Sequence, residues 1–233
     1  TNSKSHFKFS LCPFWPCKRF SRKTLSQYIQ FMSSSKTVVF DLGNVLIDWN
    51  PRYLYRKLFP TETEVEWFLE NICDDEWNAK HDAGQPFSTG IAELSSLHPQ
   101  FSAQISNWYE RWDEMLGGPL DETVEILAEL KKKQVPLIIL SNWSAETYPK
   151  AEALYDFLHW FDGKIISGEI GKIKPDPDIY KLLIETYDLT PDNTVFIDDK
   201  LVNVEAAEDS GIHGIHFQNA ALLRNDLEKL KLL

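Results

Sequence analysis

Residues 36–44, KTVVFDLGN, contain the first short apolar run that is followed directly by an acid. Its β-branched and aromatic residues predict a short buried strand that presents Asp41 at its carboxyl end. Two later apolar runs end in a similar way, one at LSN (140–142) and one at IDD (197–199), and the polar loop KIKPDP (172–177) lies between them. Because ligands bind beyond the carboxyl ends of parallel strands, these four segments predict one site at one edge of a sheet.

Strands and helices alternate in the second half of the chain. The apolar runs VPLIIL, KIIS, TVFID and GIHF are separated by helical patterns near residues 121–133, 144–153, 177–187 and 202–210. This alternation predicts an α/β fold, with a Rossmann-like parallel sheet that is flanked by helices on both faces.

The segment 49–117 has a different pattern and is predicted to be an all-helical cap inserted into the core. Thr61 and Glu64 form a capping box, and Ser88 is predicted to cap a helix that ends before Pro99. The predicted Rossmann-like core then consists of residues 36–48 and 118–233. Helical spacing favours packing inside the cap, more than substrate contact, for most of its aromatic side chains, including Trp108 and Trp112.

The charge is unevenly distributed and argues against a nucleic-acid partner. Residues 1–35 hold six Lys and Arg and no acid, whereas the rest of the chain carries 18 basic and 35 acidic side chains. Phosphate backbones are bound through basic surface, so an acidic body favours a small-molecule partner instead. The apolar runs are too short to span a bilayer, so no membrane partner is predicted.

The first 35 residues are predicted to form a disordered tail. Residues 1–31 resemble a transit peptide in composition, but Met32 opens the run MSSSKTVVFD just before the first strand, which favours an upstream extension of a cytoplasmic protein. Cys12, Cys17 and Cys73 are too few and too scattered for a disulfide framework or a zinc cluster.

The acids at the predicted sheet edge indicate a metal. Asp41, Asp198 and Asp199 would repel one another if they were packed without a counter-charge, and one or more would become neutral. A divalent cation removes this conflict, and oxygen ligands suit Mg²⁺, which shares its shell with substrate phosphate.

The four segments, in this order, resemble the four motifs of the haloacid dehalogenase superfamily over residues 36–219. The stretch FDLGNVLIDWNP further resembles the branch that contains bacterial glucose-1-phosphate phosphatases. The resemblance implies that Asp41 is a nucleophile that becomes an aspartyl phosphate, and that Lys174 pairs with it. It also implies that Ser141, with Asn142 beside it, binds the phosphoryl group. The implied magnesium ligands are Asp41, the Gly43 carbonyl, Asp198 and Asp199.

The sequence departs from the family pattern at Gly43. Most phosphatases of the superfamily carry a second Asp there, which protonates the leaving group and then activates water. Water, Asp48 or a cap residue would have to replace it, and substrates with weakly basic leaving groups, such as sugar 1-phosphates, are expected to be preferred.

The predicted function is that of a Mg²⁺-dependent phosphatase of a small phosphorylated metabolite. Because Gly43 replaces the family acid, two alternatives stay open. The first is a 2-haloacid dehalogenase, in which this position is not acidic either. Dehalogenases replace the last acids with small neutral residues, however, and this chain keeps Asp198 and Asp199. The second alternative is a non-catalytic module that retains the fold.

Overall fold

The computed structural model describes residues 36–233. The predicted tail, residues 1–35, lies outside this part of the chain. A five-stranded parallel sheet forms the centre, in the order β5-β4-β1-β6-β7. Its strands are β1 (Thr37–Phe40), β4 (Leu137–Ser141), β5 (Gly163–Ile166), β6 (Thr194–Asp198) and β7 (His213–His216). A separate antiparallel ribbon pairs β2 (Ile47–Trp49) with β3 (Leu116–Pro119).

The central strand β1 is apolar on both faces. Val38 and Phe40 belong to one hydrophobic cluster, and Val39, which points to the opposite face, belongs to the other. All three side chains have no solvent exposure. Burial on both faces requires helices on both sides of the sheet, and the predicted Rossmann-like fold is confirmed.

The polypeptide between β2 and β3 is helical. It contains α1 (Arg52–Tyr55), α2 (Glu62–Asn71), α3 (Asp75–Asp82), α4 (Phe87–Leu97) and α5 (Ser102–Glu110), with 3₁₀ turns at Pro99–Phe101 and Trp112–Met115. We call residues 52–115 the helical insertion. Trp49, Leu116 and Gly117 lie in the ribbon at its base, and the division into core and cap at residues 49 and 117 stays a prediction.

Of the two helix starts that were predicted in the insertion, at Thr61 and at Ser88, the structure has only the first. The capping box is confirmed, because Thr61 Oγ1 accepts from Glu64 N at 3.3 Å and Glu64 Oε2 accepts from Thr61 N at 3.1 Å. The prediction for Ser88 was wrong. Helix α4 begins one residue earlier, at Phe87 after Pro86, so Ser88 lies inside the first turn.

Aromatic side chains fill the interior of the insertion. Trp108 is 2% exposed, and its ring centroid lies 5.4 Å from that of Trp77 and 5.9 Å from that of Tyr55. Edge and tilted contacts of this kind add to the free energy of burial. Trp108 therefore packs the insertion, as its spacing predicts.

The remaining helices cover the sheet. They are α6 (Asp121–Lys132), α7 (Tyr148–Leu154), α8 (Ser167–Ile170), α9 (Pro177–Tyr187), α10 (Leu201–Asp209) and α11 (Ala220–Lys229). Helix α7 starts later than the predicted residue 144. Pro149 fits only the first turn of a helix, and the Ser144 hydroxyl accepts from Glu146 N in the preceding turn. Within residues 36–233, no helix has both the length and the apolar character that a bilayer crossing requires.

Candidate active site

Asp41 follows β1 directly and is 8% exposed. Its Oδ1 accepts from Leu42 N at 2.8 Å and from Ser141 Oγ at 2.7 Å, and it lies 3.0 Å from Lys174 Nζ. Ser141 is the last residue of β4, which pairs with β1, so the sheet itself brings the hydroxyl to the carboxylate. With three donors on Oδ1, Oδ2 is the oxygen that remains available for another partner.

Lys174 lies beneath Asp41 with a fully buried side chain. Its ammonium lies 2.7 Å from Asp198 Oδ2 and donates to the Leu140 carbonyl at 2.9 Å. Burial opposes the charge, but Asp41 and Asp198 outweigh it and raise the pKa of Lys174 above its usual value. The lysine is therefore a permanent cation between two acids.

The side chain of Asn142 bonds to the lysine loop, and the phosphate contact of this residue stays a prediction. Its Oδ1 accepts from Lys174 N at 2.8 Å, and its Nδ2 donates to Lys174 O at 2.9 Å. Both ends of the amide are thus used on the backbone of the lysine loop. The Asn142 side chain positions Lys174.

Asp198 is completely buried at the end of β6 and saturated with protein donors. Besides Lys174, it accepts from Lys200 N at 2.8 Å and from Asn203 Nδ2, which lies 3.0 and 3.1 Å from its two oxygens. Asn203 lies in the first turn of α10, the helix that follows β6. The structure places it against Asp198.

Carboxylate oxygens of Asp41, Asp198 and Asp199 lie within 4.8 Å of one another. Burial raises the pKa of Asp41 to about 6, although Lys174 lowers it; Asp198 raises it further. Burial and the neighbouring Asp198 also raise the pKa of Asp199. Asp41 and Asp199 are thus two oxygen donors that resist ionisation, and such a pair fits Mg²⁺, which would offset the repulsion between the acids.

A cavity of about 290 Å³ opens above these residues, between the sheet edge and the helical insertion. The core contributes Asp41, Gly43, Ser141, Asn142, Trp143, Lys174 and Asp199 to its wall. Residues 49–115 contribute Trp49, Asp75, Asn78, Asp82, Phe87 and Trp112. Trp112, which its spacing placed in the interior of the insertion, is 3% exposed and nevertheless lines this cavity.

The absence of the family acid drew attention to Asp48 and Gly43, and the structure shows what surrounds each of them. Asp48 accepts from the Tyr53 hydroxyl at 2.6 Å and is not among the described residues that line the cavity. Gly43 lines it, no atom lies within 4 Å of a Cβ built there, and its φ is not positive. The site would therefore accept a side chain at position 43.

No motif in the sequence marks Asp82, which the structure brings into the same cavity.

The fold and the site define an α/β protein whose chemistry lies at the carboxyl ends of parallel strands. The chain belongs to the haloacid dehalogenase-like hydrolase family, whose model matches residues 35–211. It is 26% identical to a sesquiterpene phosphatase of Aspergillus oryzae, over 84% of this chain and 96% of that one. It is also 26% identical to a phosphorylated carbohydrates phosphatase of Thermotoga maritima, over 78% of this chain and 84% of that one.

Solved structures agree on the fold. A family enzyme of Bacteroides thetaiotaomicron, crystallised with magnesium and inorganic phosphate, superposes with a TM-score of 0.62 at 21% identity. The match covers 80% of this chain and 96% of that one. The solved structures thus agree with the predicted fold, and the predicted family is confirmed by the family model.

Proposed function

We propose that the protein is a Mg²⁺-dependent phosphatase that hydrolyses a small phosphate monoester through an aspartyl phosphate on Asp41. The observation that carries this proposal is the environment of that carboxylate. It is buried at a strand end, with Ser141 and Lys174 on one oxygen and two further acids in the same cluster. A dehalogenase would gain nothing from those acids, since extra carboxylates beside an unmetallated nucleophile blunt it.

The residues divide the work as follows. The Asp41 carboxylate attacks phosphorus, the P–O bond to the leaving group breaks, and water then attacks the aspartyl phosphate and releases inorganic phosphate. The Ser141 hydroxyl holds a phosphoryl oxygen, and Lys174 balances the negative charge. Asp41, Asp199 and the Gly43 carbonyl would hold the metal, with Asp198 behind them. When bound, Mg²⁺ neutralises oxygen charge on the transferring group.

The cavity supports a small leaving group with an apolar face. Its volume of about 290 Å³ is at the lower end of the range for small-molecule sites, roughly 300–1,000 Å³. Trp49, Phe87, Trp112 and Trp143 contribute aromatic surface to its wall. A sugar 1-phosphate is the substrate that we propose within this class, because its ring can stack on an indole and its anomeric oxygen is a less basic leaving group than a primary alkoxide. The two curated relatives are named for a sesquiterpene and for phosphorylated carbohydrates, which is consistent with a leaving group of this size.

The test is a substrate panel with Asp41→Asn and, as a matched control, the exposed Asp192→Asn. Glucose 1-phosphate, glucose 6-phosphate, 4-nitrophenyl phosphate and 2-chloropropionate are assayed with Mg²⁺ and with excess chelator. We expect Mg²⁺-dependent release of phosphate, with glucose 1-phosphate preferred to glucose 6-phosphate. Asp41→Asn should abolish it, because an amide is no nucleophile. Chelator-resistant release of chloride, or a tenth of wild-type phosphatase activity in Asp41→Asn, would contradict the proposal.

A further inference from the structure

The end of helix α3 is fixed to the sheet edge at Asp82. The Asp82 carbonyl accepts from Ser167 Oγ at 2.6 Å, and the same hydroxyl accepts from Trp143 N at 2.9 Å. Two residues later, Gly84 has a φ of +97°, and a Cβ built there would lie 3.1 Å from the Gly168 carbonyl oxygen. The insertion thus contacts the core closely at this point, where Asp82 is held by a buried core side chain.

Asp82 lines the cavity that also contains Asp41, and its carboxyl accepts a hydrogen bond from the backbone of Ser144 in the core. Its Oδ2 accepts from Asn78 Nδ2 at 3.2 Å. The charged groups that face it from the core are Lys200, Asp41 and Lys174. Burial raises the pKa of Asp82 to about 7; Lys200 lowers it and Asp41 raises it. A carboxyl with such a pKa can both donate and accept a proton near neutral pH, which is the requirement for general acid and base catalysis.

The other acids nearby are less suited to this role. The family position holds Gly43, and the Asp48 carboxylate is bound by Tyr53. Asp75 lines the same cavity from the start of α3 but is exposed to solvent. Among residues 36–233, Asp82 is the acid of the insertion that is fixed against the core, lines the cavity of Asp41 and is close enough to Asp41 for that carboxylate to raise its pKa.

We propose that Asp82 is the general acid and base of the reaction, supplied by the insertion in place of the acid missing at Gly43. This inference rests on the proposed phosphatase function. In the first step Asp41 forms a bond to phosphorus, the bond to the leaving oxygen breaks, and the Asp82 proton goes to that oxygen to give the alcohol. In the second step water attacks the aspartyl phosphate and gives its proton to Asp82. Phosphate leaves, and Asp41 is restored as a carboxylate.

The test compares wild type with Asp82→Asn on benzyl phosphate, whose alkoxide leaves poorly, and on 4-nitrophenyl phosphate, whose phenolate leaves without a proton. We expect kcat/KM for benzyl phosphate to fall about 10²- to 10⁴-fold and kcat/KM for 4-nitrophenyl phosphate to change little. With 4-nitrophenyl phosphate the variant should show a burst of nitrophenolate followed by slow turnover, because the base for the second step is absent. Glu76→Gln removes an exposed carboxylate from the same helix, outside the cavity wall, and should retain the wild-type ratio of the two substrates.

Two further measurements separate a chemical role from a structural one. The kcat/KM of wild type for benzyl phosphate should fall above about pH 7, as the Asp82 acid ionises, and this limb should be absent in Asp82→Asn. Restoring an acid at the open family position, as Gly43→Asp in the Asp82→Asn background, should recover activity on benzyl phosphate.

The outcomes distinguish this inference from the proposed function. If Asp41→Asn is inactive but Asp82→Asn keeps the wild-type ratio of the two substrates, the role of Asp82 is overturned and the phosphatase stands. If Asp41→Asn remains active, the proposed function itself fails. A double variant that is folded by circular dichroism but no better than Asp82→Asn on benzyl phosphate would also count against Asp82.

Discussion

At the scale of single residues, the two acids at the end of β6 have different surroundings. Asp198 is fully buried and engaged by Lys174, Lys200 and Asn203, whereas Asp199 is partly exposed and lines the cavity. A buried charge that loses its partner is costly, so the pair of Lys174 and Asp198 is expected to be sensitive to truncation. The resemblance assigns both acids to the metal. The geometry indicates that Asp198 acts mainly by holding Lys174 in place.

This difference gives a prediction about magnesium. Asp199→Asn should raise the Mg²⁺ concentration needed for half-maximal activity by roughly ten- to a hundredfold, since it removes a charged oxygen from the cluster. Asp198→Asn should instead lower kcat at saturating Mg²⁺, because Lys174 loses its closest counter-charge. Titrating activity with Mg²⁺ in both variants measures the two effects. Equal shifts in Mg²⁺ requirement would show that both acids contact the metal in the same way.

The sequence predicted which residues meet at the site better than it predicted what each side chain does there. Asp41, Ser141 and Asp198 lie at strand ends on one edge of the parallel sheet that the alternation of strands and helices predicts, and Lys174 reaches the same edge from a loop. The bonds from Asn142 to the lysine loop and from Asn203 to Asp198 depend on side-chain directions. Spacing along the chain carries no information about those directions.

At the scale of elements, one buried serine connects the end of α3 in the insertion with the core. Ser167 has no solvent exposure and begins α8, where its hydroxyl connects Trp143 N of the core with the Asp82 carbonyl of the insertion. A sequence pattern can identify Asp75–Asp82 as helical. Which face of this helix lies toward the sheet depends on the hydrogen bond between Ser167 and Asp82, two residues that are 85 positions apart in the chain. For this reason Asp82 could not be predicted as a site residue.

Ser167→Ala tests the link. The substitution leaves the Trp143 N–H without its acceptor, and an unsatisfied buried group costs about 1–3 kcal/mol. We expect a lower free energy of unfolding, and faster amide hydrogen exchange in residues 75–84 than in wild type. Ser96→Ala is the matched control, because Ser96 is exposed and its hydroxyl bonds within its own helix region to Glu93 O. Unchanged exchange in residues 75–84 would mean that other contacts hold α3 over the cavity.

At the scale of the whole molecule, the insertion covers the sheet edge, so one cavity is lined by residues of the core on one side and of the insertion on the other. We propose that it opens and closes to admit substrate, as lids that exclude water from a reacting site do. The core contributes charge from Asp41, Lys174 and Asp199, and the insertion contributes aromatic surface and Asp82. The pKa values of Asp41, Asp82 and Asp199 in this cavity are raised, so stability and chemistry are linked through pH.

The pH dependence of stability measures this link without substrate or metal. A carboxyl whose pKa is raised in the folded state stabilises the fold fully only below its unfolded pKa, about 4, and this contribution is lost as the pH rises through its folded pKa. For Asp82 the folded pKa is about 7, so the loss falls between about pH 4 and pH 7.

Asp82→Asn cannot ionise and should therefore melt at a higher temperature than wild type, by a margin that is wider at pH 8 than at pH 5. Each kcal/mol shifts the Tm of a chain of this size by roughly 2–4 °C, so thermal melts in chelator resolve the difference. Asp192→Asn, at an exposed position, should show no such widening. A margin that is equal at both pH values would mean that Asp82 is already ionised at pH 5, and it would then lack the proton that the leaving group needs.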